Sequence, residues 1–476
     1  MYTNLPKYLN IKNIILNDIQ NGVYKPGDMI PSDNELMKTF SISKSTITQA
    51  LKILSQEGYI VREQGKGSFV TGQNSKTVLT FFVCSTEHKE ENFWNSIVES
   101  FNQRNPAYLI KHSFIHNNVV PLRDTLFKAF ASGNAPDIFS LDGPDVPYWA
   151  YMNSLQPLDD FVTDEFKNRF IPQIIHQGTY KGKLYHLGYN ESTLCILYNK
   201  RLFKELNIIP PTDIHNAWSW QEFLDVCKIV KENTDIRNPL LMDSGRGLSP
   251  TQGEWITYSS LPFIMQNNGK IFNNDCTKTS GYLNSPASVA AMDWLGKLYH
   301  TYGYTHMEDI HEQFPNNFAM SLSLPNAFYE VNDEEQNEIG ILPLPREFMA
   351  ATPHGGWGLC ISKQARNPAA CWEFIQYIFS MENQLKLNKY TGMPVLKDIY
   401  EVFKNFNTLS SNTNILFSQL HDTSFTRPIT PAYPFFSKAF TSAYVNIAKG
   451  GDAQQILDEA ACQIDDHLIR HNYFRG

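Results

Sequence analysis

Between Ile11 and Val70 three stretches of helical apolar spacing give way to a period of two, and that succession limits the N-terminal fold more than any other feature of the chain. Ile11, Ile14, Ile15 and Ile19 recur at helical spacing and stop at Asn21-Gly22. Lys25-Pro-Gly-Asp28 reads as a turn. Ser32 followed by Glu35 has the spacing of a capping box, which starts a short helix running through Phe40 with Leu36, Met37 and Phe40 turned inward. After Ser41-Ile42, Ser43 caps a third helix with Ile47, Ala50, Leu51 and Leu54 on its apolar face, and Gly58 ends it. The period then falls to two in Tyr59–Arg62 and Ser68–Val70, two strands around the turn Glu63-Gln64-Gly65-Lys66-Gly67.

The outer face of the third helix carries Lys44, Ser45, Thr48, Gln49 and Lys52, with no acid before Glu57. A short helix pair whose second member is cationic and rich in hydroxyls suits a major groove, and a glycine-rich hairpin can approach a phosphate backbone closely. Charge points the same way. Residues 1–76 hold nine Lys/Arg against six Asp/Glu, whereas the rest hold 31 against 42, so a basic head sits on an acidic body. On pattern alone, a helical cap with a hairpin and no nucleic-acid role stays open.

The run Gly22-Val-Tyr-Lys-Pro-Gly-Asp-Met-Ile-Pro-Ser32, with Glu35-Leu36, Phe40, Ser43, Thr46, Ala50-Leu51, Leu54, Glu57-Gly58-Tyr59-Ile60 and Gly65–Val70, resembles the DNA-binding domain of GntR-family bacterial regulators. The resemblance implies an α+β winged helix-turn-helix over residues 1–72, a double-stranded DNA operator as partner, and a homodimer on a near-palindromic site. It implies DNA contacts by Ser32, Asn34, Ser43, Lys44, Ser45, Thr46, Thr48, Gln49, Lys66 and Gly67. The family usually has Arg where Asn34 and Thr48 stand, and Arg would read guanine bidentately. The operator is therefore expected to differ from the common one.

After a polar linker, assigned to residues 73–77, strand-like runs alternate with helical patterns. Thr77–Val83, Ile110–Ile115 and Ala135–Asp142 are interleaved with helices at Phe93–Phe101 and Leu122–Phe130, and the alternation recurs near 194–198, 318–324, 339–342 and 357–362. This predicts α/β lobes with mostly parallel sheets. No GxSxG, Walker A, GxGxxG or HExxH signature occurs, and the spacing of His300, His306 and His311 fits no metal site, so neither catalysis, cofactor nor metal is expected. All eight tryptophans lie outside the head. Trp149 follows a loop at a strand's C-terminal end, Trp255 follows the loop Gly245–Gly253, and Trp357 follows Gly355-Gly356, three settings that leave an indole face open to a ligand. Trp294 and Trp372 sit within helical patterns and read as packing.

The motifs Ala135-Pro-Asp-Ile, Leu155-Gln-Pro-Leu-Asp-Asp, Tyr180–Tyr185, Leu197–Phe203, Trp218–Phe223, Phe318-Ala-Met320, Gly355–Gly358 and Arg427-Pro-Ile-Thr-Pro431 are similar to those of family 1 extracellular solute-binding proteins, including the maltose-binding type. That resemblance implies a two-lobed, periplasmic-binding-protein-like (type II) domain over residues 78–476, with hinge crossings near 190, 335 and 385. It implies a mono- or oligosaccharide effector between the lobes, touched by Asp142, Glu191 and Trp357. Pro325–Phe328 stands where the maltose-binding type has a tryptophan, which leaves the sugar unidentified.

Seven scattered cysteines without a CxxC pair, an N-terminus unlike a secretory signal and no long apolar run predict a reduced, cytoplasmic protein without a membrane span. The two resemblances together predict a sugar-responsive transcriptional regulator. The alternative is a DNA-binding regulator whose lobes serve dimerisation or partner contact without a small molecule.

Overall fold

The computed structural model describes residues 6–473 apart from 64, 72–75, 86–87, 117–118, 243–252, 309–313, 316, 331–332, 392 and 406–410. Most of the expected linker, and most of the loop before Trp255, fall outside the described residues.

The head contains helices α1 (Lys7–Gln20), α2 (Asp33–Phe40) and α3 (Lys44–Gln56), and strands β1 (Met29–Ile30), β2 (Ile60–Glu63) and β3 (Gly67–Val70). Its antiparallel sheet has the order β1-β3-β2. The capping box is formed as its spacing predicts. Ser32 N–H donates to the Glu35 carboxylate at 2.8 Å, and Glu35 N–H returns to Ser32 Oγ at 3.4 Å. Ser41, at φ 54°, takes the left-handed turn that ends α2. Leu9, Ile11, Ile15 and Leu16 of α1 bury against Ile47, Leu51 and Leu54 of α3, whereas Ile14 of the predicted stripe is exposed.

The first lobe is built on β4 (Thr77–Ser85), α4 (His88–Arg104), β5 (Tyr108–His116), α5 (Val119–Ala131) and β6 (Ile138–Asp142). Its sheet runs β5-β4-β6 in parallel. Strand Trp357–Ile361 then adds antiparallel to β6, and Leu187–Gly188 pairs beyond it. In the second lobe, Cys195–Asn199 lies antiparallel to both Met320–Ser323 and Ile339–Leu342, with Leu240–Leu241 parallel to Met320–Ser323 at the edge. The expectation of mostly parallel sheets therefore holds for only part of the first lobe. Strands that arrive from the other lobe need no helical crossover, so they are free to pair antiparallel.

The chain changes lobe three times. The first crossing joins Leu187–Gly188 to Cys195–Asn199, close to the expected 190. The second runs from Ile339–Leu342 through Thr352–His354 to Trp357–Ile361, later than the expected 335, which lies in the helix Asp333–Glu338 that leads into a second-lobe strand. The third falls between Ile399 in the first-lobe core and Ile415 beside the second-lobe strands. Residue 385 is not a crossing, because Leu385 and Leu387 pack in the first lobe. Ser424–Thr426 pairs in parallel with Thr352–His354, which ties two passages of the chain into one small hinge sheet.

The main cores of the lobes are separate clusters, whereas the head core and the first-lobe core form one. Trp294 stacks on Trp220 at 4.5 Å and Trp372 is fully buried, both as packing residues. Among the described residues no helix is long and apolar enough to cross a membrane, and no group of three His, Cys, Asp or Glu could hold a metal ion.

Candidate functional site: recognition helix and interlobe cleft

The first site is the outer face of α3. Ser43, Lys44, Ser45, Thr48, Gln49 and Lys52 are exposed on it, with Thr46 half-buried, and no acidic residue occupies its first turn. Ser43 Oγ accepts from Thr46 N–H at 3.4 Å and lies 2.9 and 2.8 Å from the hydroxyls of Ser45 and Thr46. The helix start thus offers a ring of hydroxyls and free N–H dipoles, the arrangement that takes phosphate oxygens. Ser32 and Asn34 are exposed at the start of α2. Lys66 is exposed in the wing and pairs with Glu63 at 3.1 Å. Gly65 and Gly67 sit at φ 78° and 128°, and a Cβ on Gly67 would come within 2.9 Å of Met29 Sδ, so the wing turn requires glycine.

Sequence reasoning missed the brace behind this face. Arg62 on β2 bonds both oxygens of Asp33 on α2, at 2.9 and 3.0 Å, and the Thr48 hydroxyl also reaches Asp33 at 3.4 Å. Wing, α2 and recognition helix are therefore fixed to one carboxylate. Because the Thr48 hydroxyl faces Asp33, its methyl group is what remains for a base edge.

The second site lies where the lobes meet. Asp142 ends β6 directly opposite Trp357 in the neighbouring strand. Arg427 of the second lobe forms a fork on Asp142, with Nη2 and Nη1 at 2.6 and 2.8 Å from its two oxygens, and Nη1 also bonds Glu254 at 2.7 Å. Glu254 begins the helix Gly253–Gln266 and accepts from Tyr433 at 2.6 Å and Ser437 at 2.9 Å. Arg123 on α5 holds Asp145 at 2.5 and 2.7 Å and reaches Glu254 at 3.4 Å. Two guanidiniums thus knit first-lobe Asp142 and Asp145 to second-lobe Glu254, all of them buried. Burial pushes the Asp145 carboxyl up, and Arg123 opposes the shift. Burial likewise raises the Tyr258 hydroxyl, whose ring lies under Arg427 at 4.9 Å.

Glu191 faces the hinge. One oxygen accepts from Gly355 N–H at 2.6 Å and from its own neighbour Ser192 N–H at 2.8 Å, and the other lies 3.7 Å from His354 Nδ1 with no hydrogen-bond donor. Ser192 Oγ is 2.9 Å from the Tyr258 hydroxyl and donates to Gly355 O. Gly355, at φ 141°, lets Arg427 and Gln177 approach its α-carbon, where a Cβ would stand 2.6 and 2.7 Å from them. The buried Gln177 amide has neither atom paired. The floor therefore combines fixed charges with unfilled donors and acceptors, a setting suited to a polyhydroxylated guest.

Of the aromatic candidates, Trp357 is half-buried at the strand pair beside Asp142, its backbone N–H donating to the Asn190 side chain at 2.6 Å. Trp255 is half-buried one residue from Glu254, stacked on Tyr258, with its indole N–H unpaired. The structure places Trp149 elsewhere. It is 1% exposed, and its ring stacks on Phe127 at 4.8 Å, so the open face expected from the preceding loop is already covered.

Residues 96–407, well over half of the chain, match the model for bacterial extracellular solute-binding proteins, and residues 7–70 match that for bacterial regulatory proteins of the gntR family. The chain belongs to the bacterial extracellular solute-binding protein family, and its head to the gntR family. The solute-binding body superposes on a solute-binding protein of Thermotoga lettingae bound with α-D-tagatose. That match has a TM-score of 0.70 at 22% identity, over 83% of this chain and all of the other. The chain is 33% identical over 110 residues to the uncharacterized HTH-type regulator YurK of Bacillus subtilis. It is also 37% identical over 78 residues to a probable fructoselysine utilization operon repressor of Escherichia coli. These alignments take in 23% and 16% of this chain, and the chain spans only 42% and 32% of those regulators.

Proposed function

We propose that this chain is a cytoplasmic, sugar-responsive transcriptional regulator that binds an operator as a homodimer through α3 and the wing and takes a mono- or oligosaccharide between its lobes. One observation carries the reading. A basic, hydroxyl-rich recognition face and a buried polar seam between two lobes stand on a single chain, and the head shares one apolar core with the first lobe. Asp142, Glu191, Gln177 and Arg427 are the polar contacts on offer, with Trp255 and Trp357 supplying ring faces; Trp149 is left to the core. Asp142, Asp145 and Glu254 face Arg123 and Arg427, so the acids there outnumber the arginines by one and a neutral sugar fits better than a phosphorylated one. The reading involves no catalytic step.

The test is selection of genomic fragments by the full chain, followed by titration of the selected fragment with and without saccharides. A selected fragment whose affinity changes with one sugar supports the reading, and failure to select any fragment counts against it. A second reading rests on a specific observation. Arg427 already occupies both oxygens of Asp142, so the cleft is closed on its own charges, which suits lobes that only dimerise or meet a partner. Operator binding with no thermal shift by any saccharide would favour that reading.

A further inference from the structure

The contact between the head and the first lobe is built around buried charge. Lys12 of α1 is fully buried, with its ammonium 3.2 Å from Glu57 at the C-terminal cap of α3 and 3.7 Å from Glu373 of the first-lobe helix Pro368–Ile378. The same ammonium lies over the ring of Tyr108, the first residue of β5, at 4.0 Å. Glu57 accepts from the Tyr108 hydroxyl at 2.7 Å and from the Asn367 amide. Asn367 is also the cap of that first-lobe helix, so one side chain closes the lobe's helix and grips the head. Tyr59 of the head donates to Ala107 O of the lobe at 2.9 Å. Apolar residues on both sides belong to one core cluster.

We propose that the head and the first lobe move as one rigid body, with the Lys12–Glu57–Glu373 cluster as the weld, so that any displacement of the first lobe carries the recognition helix with it. Two carboxyls surround one ammonium in a dry site, and like charges there repel strongly. Glu57 has two hydrogen-bond donors on one oxygen, Tyr108 and Asn367, and the Lys12 ammonium 3.2 Å from the other. Glu373 has Lys12 at greater distance and Asn13, and burial together with Glu57 pushes its carboxyl up against the pull of Lys12. Burial raises Glu57 too, against Lys12 and Asn367. The other titratable groups facing the cluster are Tyr108, Tyr59 and Tyr8, the last pushed up to about 12 by burial, Asp160 and Glu373. The inference does not depend on which ligand the cleft takes.

Hydrogen exchange on the full chain tests it. In the unaltered protein, amides of α1 and α3 should open together with those of β4 and β5, with protection equal to within about threefold. Head amides that exchange through an easier opening of their own would overturn the proposal. Lys12→Ala should speed exchange in α1 and α3 by at least about tenfold and leave helices Gly253–Gln266 and Tyr433–Ala448 unchanged. Unchanged head protection would remove the cluster from its role. Should Lys12→Ala fail to fold, Glu373→Gln gives a gentler reading, since it removes only the surplus acid. It should keep the head docked and flatten the loss of protection that the unaltered chain shows as pH rises. An unaltered pH dependence in that variant would count against a part for Glu373 in the weld.

Discussion

Two buried ionic clusters hold this molecule together, and they differ in what surrounds them. At the head, Lys12, Glu57 and Glu373 are embedded where the apolar cores of head and first lobe are continuous. Between the lobes, Arg427 and Arg123 bridge Asp142, Asp145 and Glu254 where the main cores on either side are separate. Separating the head would expose apolar surface as well as charge. Separating the lobes would expose the ionic contacts and the smaller cluster in which Met393 and Ile171 pack with Cys195, Leu197 and Ile339, while leaving each main core intact. The first junction is thus suited to stay made and the second to open.

That contrast can be broken by substitution. The largest effect is expected from Arg427→Ala, which leaves Asp142 and Glu254 facing each other in a buried site. Removing one partner of such a network costs about 3–5 kcal/mol, readable as a lower midpoint in denaturant unfolding. A change under about 1 kcal/mol would show that the lobes are held by something else.

The pH dependence of stability sharpens the head side. Burial raises both Glu57 and Glu373, so the native state binds more protons than the unfolded chain. Their contribution is therefore complete below the ordinary carboxylate value of about 4.3 and is lost as pH rises towards their folded values. Glu373→Gln should reduce that slope in urea unfolding measured at a series of pH values.

Smaller effects are expected at the recognition face. Gly67→Val places a branched side chain at φ 128° against Met29 and should cost about 1–3 kcal/mol, with weaker DNA binding. Ser32→Ala removes the cap of α2 for about 1 kcal/mol, measured by thermal unfolding. The smallest concerns Trp149→Phe, which should leave saccharide affinity within about twofold because the residue packs on Phe127, whereas Trp357→Ala should weaken it clearly. Isothermal titration of the two variants separates these outcomes.

How much could be read from the sequence follows from the range of the interactions. The head was legible because its signals are local: Ser32 and Glu35 cap one helix, Ser43 caps the next, and the wing glycines mark a tight turn. The two-lobed body was legible through its ordered motifs. The cleft was legible only in part. Trp357 emerged from its loop position and Asp142 from the family resemblance, but the pairing of Asp142 with Arg427 spans 285 residues, and no spacing rule reports a contact at that range. Arg427, within the motif Arg427-Pro-Ile-Thr-Pro431, and Asp145, within Asp142-Gly-Pro-Asp145, were visible as charges in apolar company, which is the signal that marks buried ion pairs. Trp149 misled because a loop at a strand end predicts exposure, whereas Phe127 and Phe130 of α5 cover it. The crossings expected at 335 and 385 failed because helix-like stretches there look alike whichever lobe they pack on.

The most direct test of the account is fluorescence anisotropy of a selected DNA fragment titrated with the full chain, with and without the saccharide that most raises its melting temperature. Coupling between cleft and head predicts a change in DNA affinity of roughly 5–150-fold, lost in Asp142→Asn. Superimposable titrations, with the saccharide demonstrably bound, would contradict it.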